Sequence, residues 1–168
     1  MEWIGPYSPV IGALVGGLLT YLGVHSTQRL IQKREKIEYA RGKLERVYML
    51  TQSLYDGHKT EIDRLALSDN TSAPDWFKSR KHPGESMNEI KMTVAMYAPG
   101  LQAELNAVDG PHQALKSALL QVDEDFQRGA STLTKRPATA MTLQTQLNDL
   151  GTQLSVLKKG LVAEASKL

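Results

Sequence analysis

The sequence contains no cysteine, and it is poor in the largest aromatic side chains. The absence of cysteine from 168 residues excludes disulfides, thiolate chemistry and cysteine-based zinc sites, and it agrees with a reducing compartment. Only two Phe and two Trp are present, and no run alternates Val, Ile and Thr with polar residues. The core must therefore be built from Leu, Val, Met, Ala and Tyr, which indicates an all-α fold.

Groups that carry chemistry are also scarce. The net charge of +2 gives no long-range attraction to nucleic acid, so we expect no duplex nucleic-acid partner. No glycine-rich phosphate loop, nucleophile elbow or pair of histidines on one helix occurs. His58 and His112 fall on apolar stripes, which favours interhelical hydrogen bonds, and the acidic run Asp123–Asp125 is predicted to be solvated. We therefore expect no enzyme, no catalytic or metal-binding residues and no cofactor.

Acidic and basic residues are missing from one N-terminal segment, Trp3 to Gln28. As a helix, the 22 residues from Trp3 to Val24 would be about 33 Å long, which matches the hydrocarbon thickness of a bilayer. Aromatic residues lie near both ends of this stretch, as they do in an interfacial belt. The segment predicts a transmembrane helix, with residues 1–27 as the anchor and residues 28–168 as a helical domain.

A cleaved signal peptide and a buried core helix are the alternatives for this segment. A signal peptide carries positive charge before its apolar stretch, whereas here Glu2 precedes the stretch and four basic residues follow it. These are Arg29, Lys33, Arg34 and Lys36. The uncharged length favours a membrane helix over a buried core helix. The positive-inside rule then predicts a single-pass protein of the inner (plasma) membrane, with residues 28–168 cytoplasmic and the N-terminal side outside.

Small residues recur in the anchor at four-residue spacing. Four residues bring side chains back to the same face of a helix, and a small face lets two helices approach closely in lipid. We therefore predict that the anchor self-associates and that the protein is a homo-oligomer in the bilayer. The alternative is that glycine is simply common in membrane helices. The two rows are Ser8, Gly12, Gly16 and Thr20, and Ala13 and Gly17.

Two helical runs of the domain carry regular apolar stripes. The first shows a heptad spacing from Leu30 to Leu65, continues from the anchor and is predicted to end near residue 68. The last begins at Pro137, and its leucines alternate spacings of four and three. This seam faces either the chain's own bundle or a second chain, and we favour the first. Its residues are Leu143, Leu147, Leu150, Leu154, Leu157 and Leu161.

The run between them starts at a capping box, Ser86-x-x-Glu89, and reaches Gly129. Pro99-Gly100 and Gly110-Pro111 predict kinks or short breaks within it. Helical runs joined by short loops form antiparallel bundles. The sequence therefore predicts one N-terminal transmembrane helix that continues into an antiparallel three- to four-helix cytoplasmic bundle.

One predicted loop and two basic segments are candidates for binding. Aromatic side chains interleaved with cations can stack on a base and neutralise phosphate, so the loop predicts a site for a small anionic ligand or a cytoplasmic protein partner. The alternative is a solvated loop whose Trp76 packs on the end of the bundle. The loop residues are Trp76, Phe77, Lys78, Arg80, Lys81 and His82. Contacts with anionic lipid headgroups are predicted for Arg29, Lys33, Arg34, Lys135 and Arg136.

The order of a glycine-rich anchor, a basic helix and a small helical domain resembles that of short bacterial single-pass membrane proteins. The segment from Tyr97 to Leu101 is similar to an aromatic-x-Pro-x-Leu element in uncharacterised members of that set. Similar architecture occurs in membrane effectors of antiphage and CRISPR-associated systems. The resemblance implies a pore-forming or membrane-perturbing effector in bacterial (antiphage) defence. The alternative is a membrane-tethered scaffold or regulator that recruits a cytoplasmic protein partner.

Overall fold

The computed structural model describes the backbone of residues 8–67, 84–127 and 136–168, and side chains within residues 12–66, 86–125 and 138–168. Nearly all of these residues are helical, so the predicted all-α class is confirmed. The elements in chain order are α1 (Ser8–Leu67), α2 (Gly84–Tyr97), a 3₁₀ turn (Pro99–Leu101), α3 (Gln102–Gln127) and α4 (Arg136–Lys167).

The chain divides into two units, residues 1–40 and residues 41–168. In the first unit, every described side chain from residue 12 to residue 36 is exposed. The sequence predicts a transmembrane helix here, from Trp3 to Val24. Within the residues that the structure describes, no helix is both long enough and apolar enough to cross a membrane.

The second unit is a helical bundle around one apolar core. Tyr48 of α1 lies beside Lys158 of α4, and Tyr55 lies over Gly151. Residue numbers therefore rise along α1 as they fall along α4, so these two helices are antiparallel. Leu101, just before α3, touches the helix position at Gly160, which places the beginning of α3 beside the end of α4. The predicted antiparallel bundle is thus present within this unit.

The leucine seam of α4 lies inside this core, as we favoured. All six of its leucines are at most 2% exposed, and they pack within the chain's own bundle. The stripe of α1 is buried only from Leu44 onward, whereas Leu30, which the heptad spacing assigned to the same stripe, is 61% exposed. The heptad prediction is therefore correct for the bundle and wrong for the segment that precedes it.

The middle helices show one of the two interruptions that the sequence predicted. A break occurs at Pro99-Gly100, where the 3₁₀ turn separates α2 from α3, but α3 runs through Pro111 without interruption. Pro111 removes the donor for the carbonyl of Ala107, and Ala107 is exposed, so water can replace that donor. The preceding Gly110 has no Cβ to clash with the proline ring.

Polar residues on these helices also take roles that their spacing did not indicate. Both carboxylate oxygens of Glu89 accept hydrogen bonds from Arg46 of α1, so the predicted capping-box acid joins two helices instead. Asp123, which was predicted to be solvated with its two acidic neighbours, is 8% exposed. Its position continues the buried stripe of α3, whereas Glu124 points to solvent.

Candidate functional site

The N-terminal part of α1 presents exposed apolar side chains over most of its circumference, and the row of Gly12, Gly16 and Thr20 lies on the remaining side. Leu14 is 70% exposed and Leu19 is 64% exposed. A surface helix of a water-soluble protein buries one apolar stripe, but this segment buries none of its described side chains. The other large exposed residues are Val15, Leu18, Tyr21, Leu22 and Val24.

Three hydroxyl side chains of this segment donate hydrogen bonds to carbonyls of their own helix. The hydroxyl of Thr20 donates to the carbonyl of Gly16 over 2.8 Å. The hydroxyls of Ser26 and Thr27 both donate to the carbonyl of Gly23, over 2.9 and 2.8 Å. These bonds are the local back-bonding that Ser and Thr make inside helices. The three hydroxyls therefore need no partner outside α1.

The predicted self-association residues lie on α1 with free space around them. An added Cβ at Gly12, Gly16 or Gly17 would meet no atom within 4 Å. Ala13 and Thr20 are exposed as well. Ser8 is the first residue of α1, but its side chain lies outside the described part of the structure. The two small rows are thus accessible to another helix in every described position.

Some of the predicted binding residues are exposed, and the others lie outside the described residues. Arg29, Lys33 and Arg34 are exposed on α1. Arg136 begins α4, but its side chain is outside the described residues, as is all of Lys135. The predicted ligand loop, namely Trp76, Phe77, Lys78, Arg80, Lys81 and His82, also lies outside the described residues.

A buried histidine pair joins α1 to α3 inside the bundle. Nε2 of His58 lies 3.3 Å from Nδ1 of His112, and each residue is 1% exposed. The two rings are tilted by 52°. One ring nitrogen must donate and the other accept, which assigns a neutral tautomer to at least one ring. The predicted interhelical role of these histidines is confirmed by this contact.

Charged side chains lie close to both histidines. Nδ1 of His58 lies 3.6 Å from Oε2 of Glu61, one turn further along α1, which is too far for a good hydrogen bond. On α3, Asp109 is one turn before His112, and its carboxylate is 2.7 Å from the amine of Lys91 on α2. The hydrogen bond from Lys91 lowers the pKa of Asp109 below its ordinary value.

Burial lowers the pKa of His112 to about 4 from its ordinary 6.5. This value already includes the smaller effects of the nearby His58 ring, which also lowers the pKa, and of the Asp109 carboxylate, which raises it. The cause is the cost of placing an imidazolium where water cannot reach it. His112 is therefore neutral at pH 7 in this contact.

This arrangement does not amount to a metal site. Among the described residues, no group of three or more His, Asp or Glu side chains has a geometry that holds a metal ion. One nitrogen of each imidazole, Nε2 of His58 and Nδ1 of His112, is engaged in the contact between the two rings.

A shallow apolar groove lies at one end of the bundle, between α1 and α4. Its volume is about 320 Å³. Met49 and Val162 on its walls are 67% and 59% exposed, whereas Leu44 forms its buried floor. Sequence spacing did not reveal this groove, because Tyr48 and Met49 lie beside the buried stripe of α1 and not on it. Its other lining residues are Glu45, Leu161 and Ala165.

The sequence also did not show which side chains would meet across helices. It placed His58 and His112 on apolar stripes, but nothing in the local spacing paired them. A polar residue at a stripe position on each of two helices is the signal that could have suggested the contact.

Comparison with models of protein families finds no match to this chain. Comparisons with curated proteins and with solved structures find none either.

Proposed function

We propose that the protein is anchored in the inner membrane by the N-terminal part of α1, with the helical domain in the cytoplasm. The observation that carries this proposal is the exposed apolar surface of residues 14–24, where Leu14, Leu19 and their neighbours cover most of the circumference of the helix. Water-soluble proteins rarely leave so large an apolar surface uncovered. An apolar surface of this kind is stable in contact with the hydrocarbon of a bilayer.

The internal hydrogen bonds of the segment support the same proposal. Every polar group inside a bilayer must find its partner within the protein. Thr20 donates to the carbonyl of Gly16, and the next two hydroxyls, of Ser26 and Thr27, donate to the carbonyl of Gly23. The first charged side chain after this stretch is Arg29, where the hydrocarbon would give way to headgroups.

Anchoring can be tested by labelling, because the natural chain has no cysteine. Two single-cysteine variants, Glu2→Cys and Lys167→Cys, are treated in intact cells with a membrane-impermeant maleimide. We expect labelling at position 2, no labelling at position 167, and sedimentation of both variants with membranes after alkaline carbonate extraction. Protein that stays in the supernatant of detergent-free lysate would overturn the anchor.

We further propose that the anchor self-associates and that the oligomer perturbs the membrane as an effector of bacterial defence. The open space around Gly12, Gly16 and Gly17 supports close helix–helix approach. The architecture-level resemblance to membrane effectors of antiphage systems supports the biological role.

Self-association of the anchor is tested by replacing two small residues of the first row with leucine. Gly12→Leu with Gly16→Leu should give monomers in detergent and abolish membrane depolarisation in cells. The matched control, Leu14→Phe with Leu18→Phe, adds bulk about 200° away on the helix and should retain the oligomer. Oligomeric state is read by light scattering on the solubilised particle, and depolarisation by a potential-sensitive dye. If both pairs behave alike, the small row is not the interface.

A scaffold that recruits a cytoplasmic protein is the second candidate function, and the apolar groove of the bundle favours it. Met49 and Val162 line this groove and remain exposed, which is typical of surfaces that bind partners. Under this alternative the anchor is a passive tether. A monomeric Gly12→Leu/Gly16→Leu protein that keeps its cellular activity would favour the scaffold over the effector.

A further inference from the structure

The cations that follow the apolar segment of α1 lie on one face of the helix. Arg29, Lys33 and Lys36 are spaced by four and three residues, and His25 precedes Arg29 by four. Side chains at these spacings lie above one another on a helix. All four line a single shallow groove together with Leu22, the last leucine of the apolar segment.

The acidic residues of the same stretch lie outside this face. Glu35 follows Lys33 by two residues, and Glu38 follows Lys36 by two, which is about 200° around the helix in each case. Arg29, Lys33 and Lys36 are exposed. None of the ion pairs in the described part of the chain involves them.

We propose that this cationic face, formed by His25, Arg29, Lys33 and Lys36, binds the headgroups of anionic phospholipids. The inference rests on the proposed function, because the apolar segment that ends at Val24 sets the depth of the face. It goes further by assigning the binding to one side of the helix. Arg34, one residue and about 100° from Lys33, lies outside the face.

The distance of each cation from the end of the apolar segment agrees with binding to phospholipid headgroups. Arg29 lies five residues beyond Val24, or about 8 Å along the helix, which is within the headgroup layer. Lys33 and Lys36 lie about 14 and 18 Å beyond Val24. Their long side chains can extend back toward the membrane, and a Debye length of about 8 Å in physiological salt brings both within reach of surface phosphates.

The test is energy transfer in reconstituted vesicles. Full-length protein with Ser26→Cys, which lies in the same groove, carries a donor dye in phosphatidylcholine vesicles. The acceptor is a fluorescent lipid, either phosphatidylglycerol or phosphatidylcholine, at equal mole fraction. We expect stronger transfer to the anionic acceptor, and loss of this preference in Arg29→Gln/Lys33→Gln/Lys36→Gln. Each neutralised cation should reduce the preference by about fivefold.

A control distinguishes lipid binding by one face of the helix from lipid binding by charges on all sides of it. Lys33→Gln and Arg34→Gln remove one charge each at neighbouring positions, and only the first should reduce the preference markedly. Equal effects, or no preference in the parent protein, would overturn the proposal. Inorganic phosphate at constant ionic strength should not abolish the preference, and complete displacement would assign the face to free anions. Carbonate-resistant insertion is measured in each sample, so failure of the anchor is distinguished from failure of the face.

Discussion

Acid should destabilise the bundle through His112, and the size of the effect follows from its surroundings. The unfolded chain binds a proton at His112 below its ordinary pKa of 6.5, whereas the folded chain binds one only below about 4. Unfolding therefore takes up a proton between these values, so stability is full above pH 6.5 and falls as the pH decreases toward 4. The difference of about 2.5 between the two pKa values, at 1.36 kcal/mol for each, gives roughly 3 kcal/mol.

The assay is urea unfolding of the full-length protein in a non-ionic detergent between pH 7 and pH 4, followed by far-ultraviolet circular dichroism. His112→Gln keeps a polar side chain that can hydrogen-bond to His58 but cannot be protonated in this range. The unfolding free energy of the parent protein should fall with pH more steeply than that of His112→Gln, by roughly 3 kcal/mol over the interval.

The exposed His25 supplies the matched control. His25→Gln should leave the pH dependence of the parent unchanged, because His25 does not belong to the buried core of the bundle. Carboxylates such as Asp109, whose pKa is lowered, contribute in a more acidic window, below their ordinary value of 3.8. Parallel curves for the parent protein and His112→Gln would show that burial of this ring does not oppose its protonation.

Two further predictions concern packing. An alanine Cβ at Gly160 would lie 2.7 Å from a methyl of buried Leu101, so Gly160→Ala should lose about 1–2 kcal/mol through overpacking. Gly57→Ala, in open space on α1, should gain about 1 kcal/mol from helix propensity. The stability of each variant is measured from its urea unfolding midpoint. Equal gains in the two variants would refute the close approach of Leu101 to Gly160. Leu150→Ala should cost about 2–5 kcal/mol, against well under half of that for Leu120→Ala, which is 44% exposed. Similar losses would mean that the seam is not in the core.

Local spacing was sufficient to predict the helices and most of the buried faces. The four-three alternation from Leu143 to Leu161 places every leucine on one face of the helix, and this face is buried within the chain's own bundle. The same logic failed at Leu30, because a heptad spacing continues whether or not another helix is present to cover it. Burial depends on the neighbour as well as on the pattern.

Contacts between helices could not be predicted from spacing. The approach of Leu101 to Gly160 depends on how far one helix slides along another, and no short window of sequence contains both residues. The position of Glu89 is compatible both with a capping box and with an ion pair to Arg46, and the structure contains the ion pair. The sequence supplied the side chains of the His58–His112 contact, but only the packed bundle brought them together.

The pairing of α1 with α4 has a consequence for biosynthesis. The Arg41 guanidinium donates to the carbonyl of Ala165 over 3.5 Å, across a separation of 124 residues. At about 5–20 residues per second, a ribosome needs roughly 6–25 s to make the chain between them. During that interval the nascent α1 carries its stripe of leucines without the helix that will cover it. Complete burial of that stripe therefore has to wait until translation has produced α4.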